Sequence, residues 1–218
     1  MEEAFRAGMA KMTKPEKAWI RDREGKEQAI LKAAMTVLAE RGFSKFGVNA
    51  VAKGAGCDKQ LIYRYFGGLE GLADKIGEEL ADWIGREVSP DTRTDSYAET
   101  VADLLGKFSE ALLANDLVRQ IVIWELAEST PITVRLSAAR SRALSDWISR
   151  TLKTAPSPSP RVDAPAINAI LIAGVQHLVL AERSSGSFAG LDLDEAGRRR
   201  VRAAIRALCR SAYGEGEI

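Results

Sequence analysis

Apolar positions along this chain of 218 residues recur almost everywhere with the helical period. Ile30, Ala33, Ala34, Val37 and Leu38 fall at i, i+3, i+4, i+7 and i+8. That spacing predicts one apolar stripe on a helix from about Arg21 to Arg41, with Gly42 as its left-handed stop. Val48, Val51, Ala52 and Ala55 repeat the pattern before Gly56, and Leu61, Ile62, Tyr65 and Phe66 repeat it after. A longer helix is predicted from near Leu69 to about Arg86, ended by Val88-Ser89-Pro90. In the second half, Ser96-x-x-Glu99 reads as a capping box, in which each side chain satisfies the other residue's free N–H. The helix behind it carries Val101, Leu104, Leu105, Phe108 and Leu112. Asp116 is the expected cap of a helix through Trp124 and Leu126, and Thr130-Pro131 opens one reaching about Leu152. The run Ala155-Pro156-Ser157-Pro158-Ser159-Pro160 cannot continue a helix. Two more helices are predicted, from about Ala164 to Arg183 and from Asp192-x-x-Glu195 to just before Gly214. Strand-like alternation bounded by turn pairs is absent, so the fold class is all-α, with about nine helices.

Composition narrows the setting. Hydrophobic residues make up 46% and charged residues 28%, as in a globular protein able to bury a core. The longest apolar run, Ala164 to Leu180, is interrupted by Asn168, Gln176 and His177, which argues against a membrane span. The N-terminus carries early acids and no apolar h-region, so no signal peptide is expected. Cys57 and Cys209 lie far apart in helical patterns, which is neither a disulfide framework nor metal-ligand spacing. A reduced, cytoplasmic protein without membrane, metal or cofactor is the expectation. The net charge of +1 hides a split, because residues 1–66 hold 13 Lys/Arg against 8 Asp/Glu and the remainder 18 against 22. A basic end on an acidic body suggests a polyanionic partner for the first part alone.

The segment Phe46 to Leu72 gives that hint a form. Two short helices are separated by Gly56-Cys57-Asp58. Ala52 is small where the helices must cross, Gly56 supplies a positive φ, Cys57 is a small apolar plug and Asp58 can cap the second helix. This is helix-turn-helix arithmetic, in which the second helix enters a DNA major groove while the first crosses the backbone. Many helical hairpins share Ala-x-x-x-Gly, so the spacing alone leaves a plain hairpin open.

The residues around it carry a resemblance. Leu61-Ile62-Tyr63-Arg64-Tyr65-Phe66 followed by Gly67-Gly68-Leu69-Glu70-Gly71-Leu72 resembles the end of the recognition helix and the next helix start in TetR-family regulators. Arg41-Gly42-Phe43 and Val48-x-x-Val51-Ala52-x-x-Ala55-Gly56 match that family in spacing. The resemblance is close over Arg23 to Leu72 and beyond that extends only to helix count and length. It implies that Lys59, Gln60 and Leu61 face base edges, that Tyr63 and Tyr65 contact phosphates with Arg64 beside them, and that Val48 and Asn49 approach the backbone. The side chains suit those roles: Gln pairs with adenine, Lys with guanine, and an apolar tip touches a thymine methyl. Phe46 and Gly47 stand where the family commonly has Thr or Ser, Asp58 where it has Ser, Gln60 and Leu61 where it has Gly or Thr, and Leu69 where it has a phosphate-binding Lys. Lys11, Lys14, Lys17, Arg21 and Arg23 of an N-terminal extension are candidates to compensate for the lost phosphate anchors. The implied organisation is a flexible extension over 1–20, a helix-turn-helix DNA-binding domain over 21–68, and a ligand-binding and dimerisation domain over 69–218.

Further along the chain the signals thin out. Phe108, Arg119, Trp124, Glu125, Trp147 and His177 are candidate ligand contacts, Arg119, Trp124 and Glu125 forming the most suggestive group, because an apolar wall with few polar handles suits small molecules. Scattered aromatics such as Trp83 at helical spacing also serve as plain core, and a lone His at a helix interface is as natural as a ligand contact. Ala169, Ala173 and Gly174 on the penultimate helix would permit the close, twofold four-helix pairing that the resemblance implies. No Gly-x-Ser-x-Gly elbow, phosphate-binding loop or His-Glu-x-x-His pair points to an enzyme. The resemblance therefore implies a homodimeric repressor, paired through its two C-terminal helices and released from a pseudo-palindromic double-stranded DNA operator by an unidentified small-molecule effector. A regulator controlled by a protein partner, or an activator, is the alternative; an apolar cavity against a filled core would separate the two.

Overall fold

The computed structural model describes residues 14–89, 96–153 and 155–213, with backbone alone considered for 14–22. Nine α-helices account for about four-fifths of the described residues: α1 (Lys14–Arg41), α2 (Val48–Ala55), α3 (Lys59–Phe66), α4 (Leu69–Glu87), α5 (Tyr97–Ala114), α6 (Asp116–Ala127), α7 (Pro131–Leu152), α8 (Ala164–Ser184) and α9 (Glu195–Tyr213). A 3-10 turn, Phe43–Lys45, joins α1 to α2. The expected all-α class is what the chain adopts. One small addition is a hairpin between α8 and α9, β1 (Ser187–Phe188) pairing antiparallel with β2 (Leu191–Asp192). Ala189 and Gly190 at its tip both have positive φ, as a two-residue hairpin turn requires, so a stretch of turn residues closes two residue pairs without strand-like alternation.

Helix ends show where local signals held and where tertiary contacts overrode them. Asp58 accepts from the Gln60 amide at 2.8 Å, Thr130 and Thr133 cap each other in front of Pro131, and Gly42 and Gly56 stop α1 and α2 with positive φ. Ser96 stands at the start of α5, but its side chain makes no capping bond, and the Glu99 side chain reaches across to Arg210 of α9 at 2.7 Å. Asn115 rather than Asp116 caps α6, leaving Asp116 to pair with Arg119 and Arg183. The start of α9 is fixed by Asp194, which accepts from the Gly197 amide, while Asp192 is held in β2. α1 begins at Lys14, so the part of the expected 1–20 extension that is described is helical; the remainder, with Lys11, lies outside the described residues, as do the side chains of Lys14, Lys17 and Arg21.

One contiguous core joins both ends of the chain, running from Ile30 and Leu38 of α1 through Val51, Ile62, Leu72 and Ile76 to Leu112, Ile121, Leu136 and Cys209. Burial pushes the Cys209 thiol up to about 11, so it behaves as a small apolar filler. α4 belongs to both halves: it touches α1 and α3 near its start and lies along α7 for most of its length. Arg135 of α7 pairs with Glu70 and Asp74, Leu136 and Ala139 meet Gly77, and Trp147 meets Gly85. Position numbers rise together on both helices, so they run in the same direction.

That contact needs Gly77. A Cβ there would lie 2.6 Å from the Leu136 carbonyl oxygen, 2.8 Å from Ala139 Cβ and 2.9 Å from the Arg140 nitrogen. Gly77→Ala is therefore expected to destabilise the protein by about 2 kcal/mol, although alanine is the better helix former by about 1 kcal/mol. A denaturant midpoint unchanged or raised would contradict the close α4–α7 approach.

α8 passes by length and composition for a bilayer-crossing helix, with a mean hydropathy of 1.7 over its most apolar window, contrary to the expectation drawn from its interrupting polar residues. Only 33% of that window is buried, and Ala166, Ala169, Ile170, Ala173, Gly174 and His177 form an exposed stripe. Ile170 is 71% exposed, and Leu208 on α9 is 56% exposed.

Candidate nucleic-acid interface

The helix-turn-helix is built by a fully buried residue on each helix and a turn that only glycine enters easily. Val51 of α2 and Ile62 of α3 are fully buried in the core. Between them Gly56 is left-handed (φ 62), letting its own amide reach the Lys53 carbonyl and the Cys57 amide reach the Ala52 carbonyl at 3.0 Å. Cys57 is half-buried beneath the turn, and burial followed by the nearby Asp58 charge raises its thiol, which keeps it neutral.

With Ile62 fixed inward, the helical period decides what faces out. Lys59, Gln60, Tyr63, Arg64 and Gly67 are exposed on one side of α3, with Tyr63 57% exposed. Leu61 and Tyr65 flank this face half-buried and packed on the core, so their reach outward is shorter than that of Lys59 or Gln60. The Tyr65 ring lies under two guanidinium groups, Arg23 at 5.6 Å and Arg64 at 6.0 Å from its centroid, of which Arg23 is also paired with Glu27 at 2.7 Å. Asn49 is exposed and Val48 half-buried at the start of α2, where Gly47 offers no side-chain cap. Its open amides are a natural seat for a phosphate oxygen. Phe46, at a position where the resemblance implies a hydroxyl, is instead buried in the core, and Leu69 is half-buried at the start of α4.

α3 is bound tightly to α4. Gly67 and Gly68 both take positive φ, and Gly71 comes so close to α3 that a Cβ there would lie 1.8 Å from the Phe66 carbonyl oxygen. The periodicity gave no hint of this contact; the Gly-Gly-x-x-Gly spacing was its only trace.

A second feature ties the N-terminal helices to the rest. Glu128, at the end of α6, accepts from the Phe43 and Ser44 amides at 3.1 and 2.8 Å, and the Trp124 indole donates to the Ala39 carbonyl at 3.1 Å. Gly42 permits this, since a Cβ would meet Glu128 Oε1 at 2.4 Å and the Trp124 ring at 3.1 Å. Sequence reading missed Glu128 altogether, because its partners lie some 85 residues away and are backbone amides.

The six candidate ligand contacts do not come together. Phe108 and Trp147 line an apolar cavity with Ile84 and Val88 from the end of α4, Val101, Leu104 and Leu105 from α5, Leu144, Ile148 and Leu152 from α7, and Asn168 and Ile172 from α8. Trp124 instead forms the contact to α1. Glu125 is consumed by a bidentate, largely buried pair with Arg140 at 2.7 and 3.1 Å, which joins α6 to α7. Arg119 is held by the Leu113 carbonyl and Asp116. His177 is exposed on α8, edge-on to Phe188 at 4.6 Å between centroids. Among the described residues no group of three His, Cys, Asp or Glu could hold a metal ion.

Comparison with known proteins agrees with this geometry. Residues 30–76 match the family described as bacterial regulatory proteins, tetR family. The HTH-type transcriptional regulator AlkX of Mycobacterium tuberculosis is 29% identical over 135 residues, 56% of this chain and 64% of that protein. The chain spans less than two thirds of the length of the curated relatives it matches. Among solved structures, GusR of Salmonella enterica superposes with a TM-score of 0.65 at 17% identity, covering 87% of this chain and 95% of that one. FadR of Bacillus subtilis in complex with stearoyl-CoA gives 0.60 at 18% identity, covering 85% and 98%. At these identities the structures speak for the fold alone.

Proposed function

Through residues 30–76 this chain belongs to the tetR family of bacterial regulatory proteins, and from that premise we propose that it is a cytoplasmic, non-enzymatic repressor that binds a pseudo-palindromic operator as a homodimer and leaves it when a small molecule occupies the C-terminal half. The observation that carries the DNA reading is the exposed face of α3, where Lys59, Gln60, Tyr63 and Arg64 stand on one side of a helix anchored by the buried Ile62. The exposed stripe of small and apolar residues on α8, with Leu208 on α9, supports pairing through the two C-terminal helices: such a face costs free energy in water, and its small residues allow close helix approach. The same pairing explains an α8 apolar enough for a bilayer.

Release follows from α4. Ile84 and Val88 at its far end line the cavity, and Gly71 at its near end abuts α3. A ligand that binds better when α4 is displaced shifts the population toward a spacing of recognition helices that misfits the operator, to the extent of its unequal affinity for the two states. The apolar cavity favours this reading over control by a protein partner.

Selection of duplexes from a random pool by the purified protein, at two salt concentrations, tests the proposal. An inverted-repeat motif with a steep salt dependence is the expected result. Sequence-indifferent, weak binding would overturn it.

Two variants sharpen the test. Asp58→Ser keeps a capping oxygen for the Gln60 amide but removes a negative charge beside the DNA-facing helix. Operator affinity is expected to rise several-fold at low salt with stability nearly unchanged; a fall in affinity would show that Asp58 itself reads a base. Glu128→Ala removes the acceptor shared by Phe43 and Ser44. The expected cost is about 1.5 kcal/mol, seen as a Tm lower by roughly 3–6 °C, with operator binding by the unliganded protein within threefold of the parent. An unchanged Tm would mean that this inter-domain contact contributes nothing.

A further inference from the structure

We infer that the cavity between α4, α5, α7 and α8 takes an uncharged, hydrocarbon-rich molecule with at most one hydrogen-bonding group, and that the ligand enters by displacing Trp147. The inference rests on the effector reading above and specifies its chemistry.

The lining sets the class. Among the described residues, every lining side chain apart from Trp147 and Asn168 is pure hydrocarbon, and no charged group is among them. A carboxylate, phosphate or ammonium placed here would lose its water and meet no counter-charge, which is the costliest kind of burial. Asn168 is the single amide in the wall, and it is already partly engaged. Its Nδ2 donates to Tyr97 Oη at 2.9 Å, and its Oδ1 accepts from Tyr213 Oη at 2.7 Å. Burial, with Tyr97 and Cys209 nearby, holds the Tyr213 phenol far above the ordinary tyrosine range, so it remains the donor. Asn168 therefore keeps one N–H and one lone pair beyond this network, enough for one hydroxyl or carbonyl.

Size sets the route. The cavity measures about 50 Å³, whereas an apolar protein cavity known to admit benzene measures about 150 Å³. As it stands the space is too small for a six-carbon ring, so a wall must yield. Most of the α4 and α5 walls cannot readily do so, since Ile84, Val88, Val101, Leu105 and Phe108 are buried. Trp147 is half-buried and, among the described residues, is the one that lines both the cavity and an outer groove of about 460 Å³ between α4 and α7. Its indole rests on Gly85, where a Cβ would come within 3.0 Å of Cδ1. Swinging the indole into the groove joins the two spaces and removes a packing contact from the end of α4, the helix that also abuts α3. Glu78, Asp82 and Asp146 outnumber Arg86 and Arg150 along that groove, which disfavours anions on the way in.

The test titrates the full-length protein with matched probes, n-decanol against decanoate and 2-naphthalenemethanol against 2-naphthoate, by calorimetry and by tryptophan emission. At least one uncharged probe is expected to bind, at least tenfold tighter than its carboxylate, with an emission change that disappears in Trp147→Phe. Ile172→Trp, which fills the cavity, should abolish binding while the selected operator is still bound. Gly85→Ala, which pushes the indole toward the groove, should alter the association rate without abolishing binding. No binding by either uncharged probe, or equal binding by its carboxylate, overturns the ligand class. Unchanged emission on binding, or binding that survives Ile172→Trp, overturns the site and the Trp147 route. If an uncharged probe binds as described but the operator stays bound, the cavity assignment stands and the release mechanism falls.

Discussion

Gly71→Ala is expected to be among the most damaging single methyl groups that can be added to this protein, costing more than about 3 kcal/mol. The added Cβ would sit 1.8 Å from the Phe66 carbonyl oxygen and 3.0 Å from its carbon. Both are backbone atoms, so no rotamer change relieves the overlap; α3 must back away from α4 or the start of α4 must unwind. The helix-propensity gain of about 1 kcal/mol offsets only part of this. Gly67→Ala is the control. Its φ of 72 makes alanine strained, but a Cβ there meets nothing within 4 Å, so a loss of only about 1–2 kcal/mol is expected. Guanidinium unfolding of both variants gives the ranking, and Gly71→Ala should also weaken operator binding by disturbing how α3 is carried. Equal stabilities for the two would show that the α3–α4 contact is looser than described.

Combining Lys59→Ala with Tyr63→Ala should remove about 100-fold of operator affinity, roughly tenfold from each, without changing the unfolding midpoint. Both side chains are exposed and neither fills the core, so a lost function cannot be blamed on a lost fold. The two single variants should fail differently. If Lys59 reads a base edge, as the proposed function has it, its loss relaxes preference at one operator position. Loss of Tyr63, proposed as a neutral phosphate contact, should weaken all sequences alike and leave the salt slope unchanged, whereas Arg64→Ala should lower that slope by about one. Affinity, sequence preference and salt dependence unaffected in the double variant would remove α3 as the reading helix.

Much of the helix-turn-helix and its exposed face was legible in the sequence, because its information is local. The 3.6-residue period of Val48, Val51, Ile62 and Phe66, the glycine at the turn and the Asp58 cap are decided within a dozen residues, and the structure places all of them as that pattern required. Once Ile62 points inward, the helical period alone puts Lys59, Gln60, Tyr63 and Arg64 outward. The same logic reached too far with Leu61 and Tyr65, since the period cannot say how wide the buried stripe is; that width depends on what packs against it.

The C-terminal half was legible only as helices. Its chemistry is set by pairings between residues tens of positions apart, for which a single sequence holds no register. Glu125 looked like a ligand group until Arg140 was seen to occupy it, and Trp124 like a cavity wall until its indole was found on the Ala39 carbonyl. Glu99, read as half of a capping box, pairs with Arg210 of α9. The sequence by itself determined the helical class, the turn between α2 and α3 and the identity of the exposed basic face, all products of backbone propensity and short-range periodicity. Tertiary structure alone decided which side chains enclose the cavity, which glycines are closed to a methyl group and which carboxylates hold backbone amides, because each depends on how closely distant helices approach.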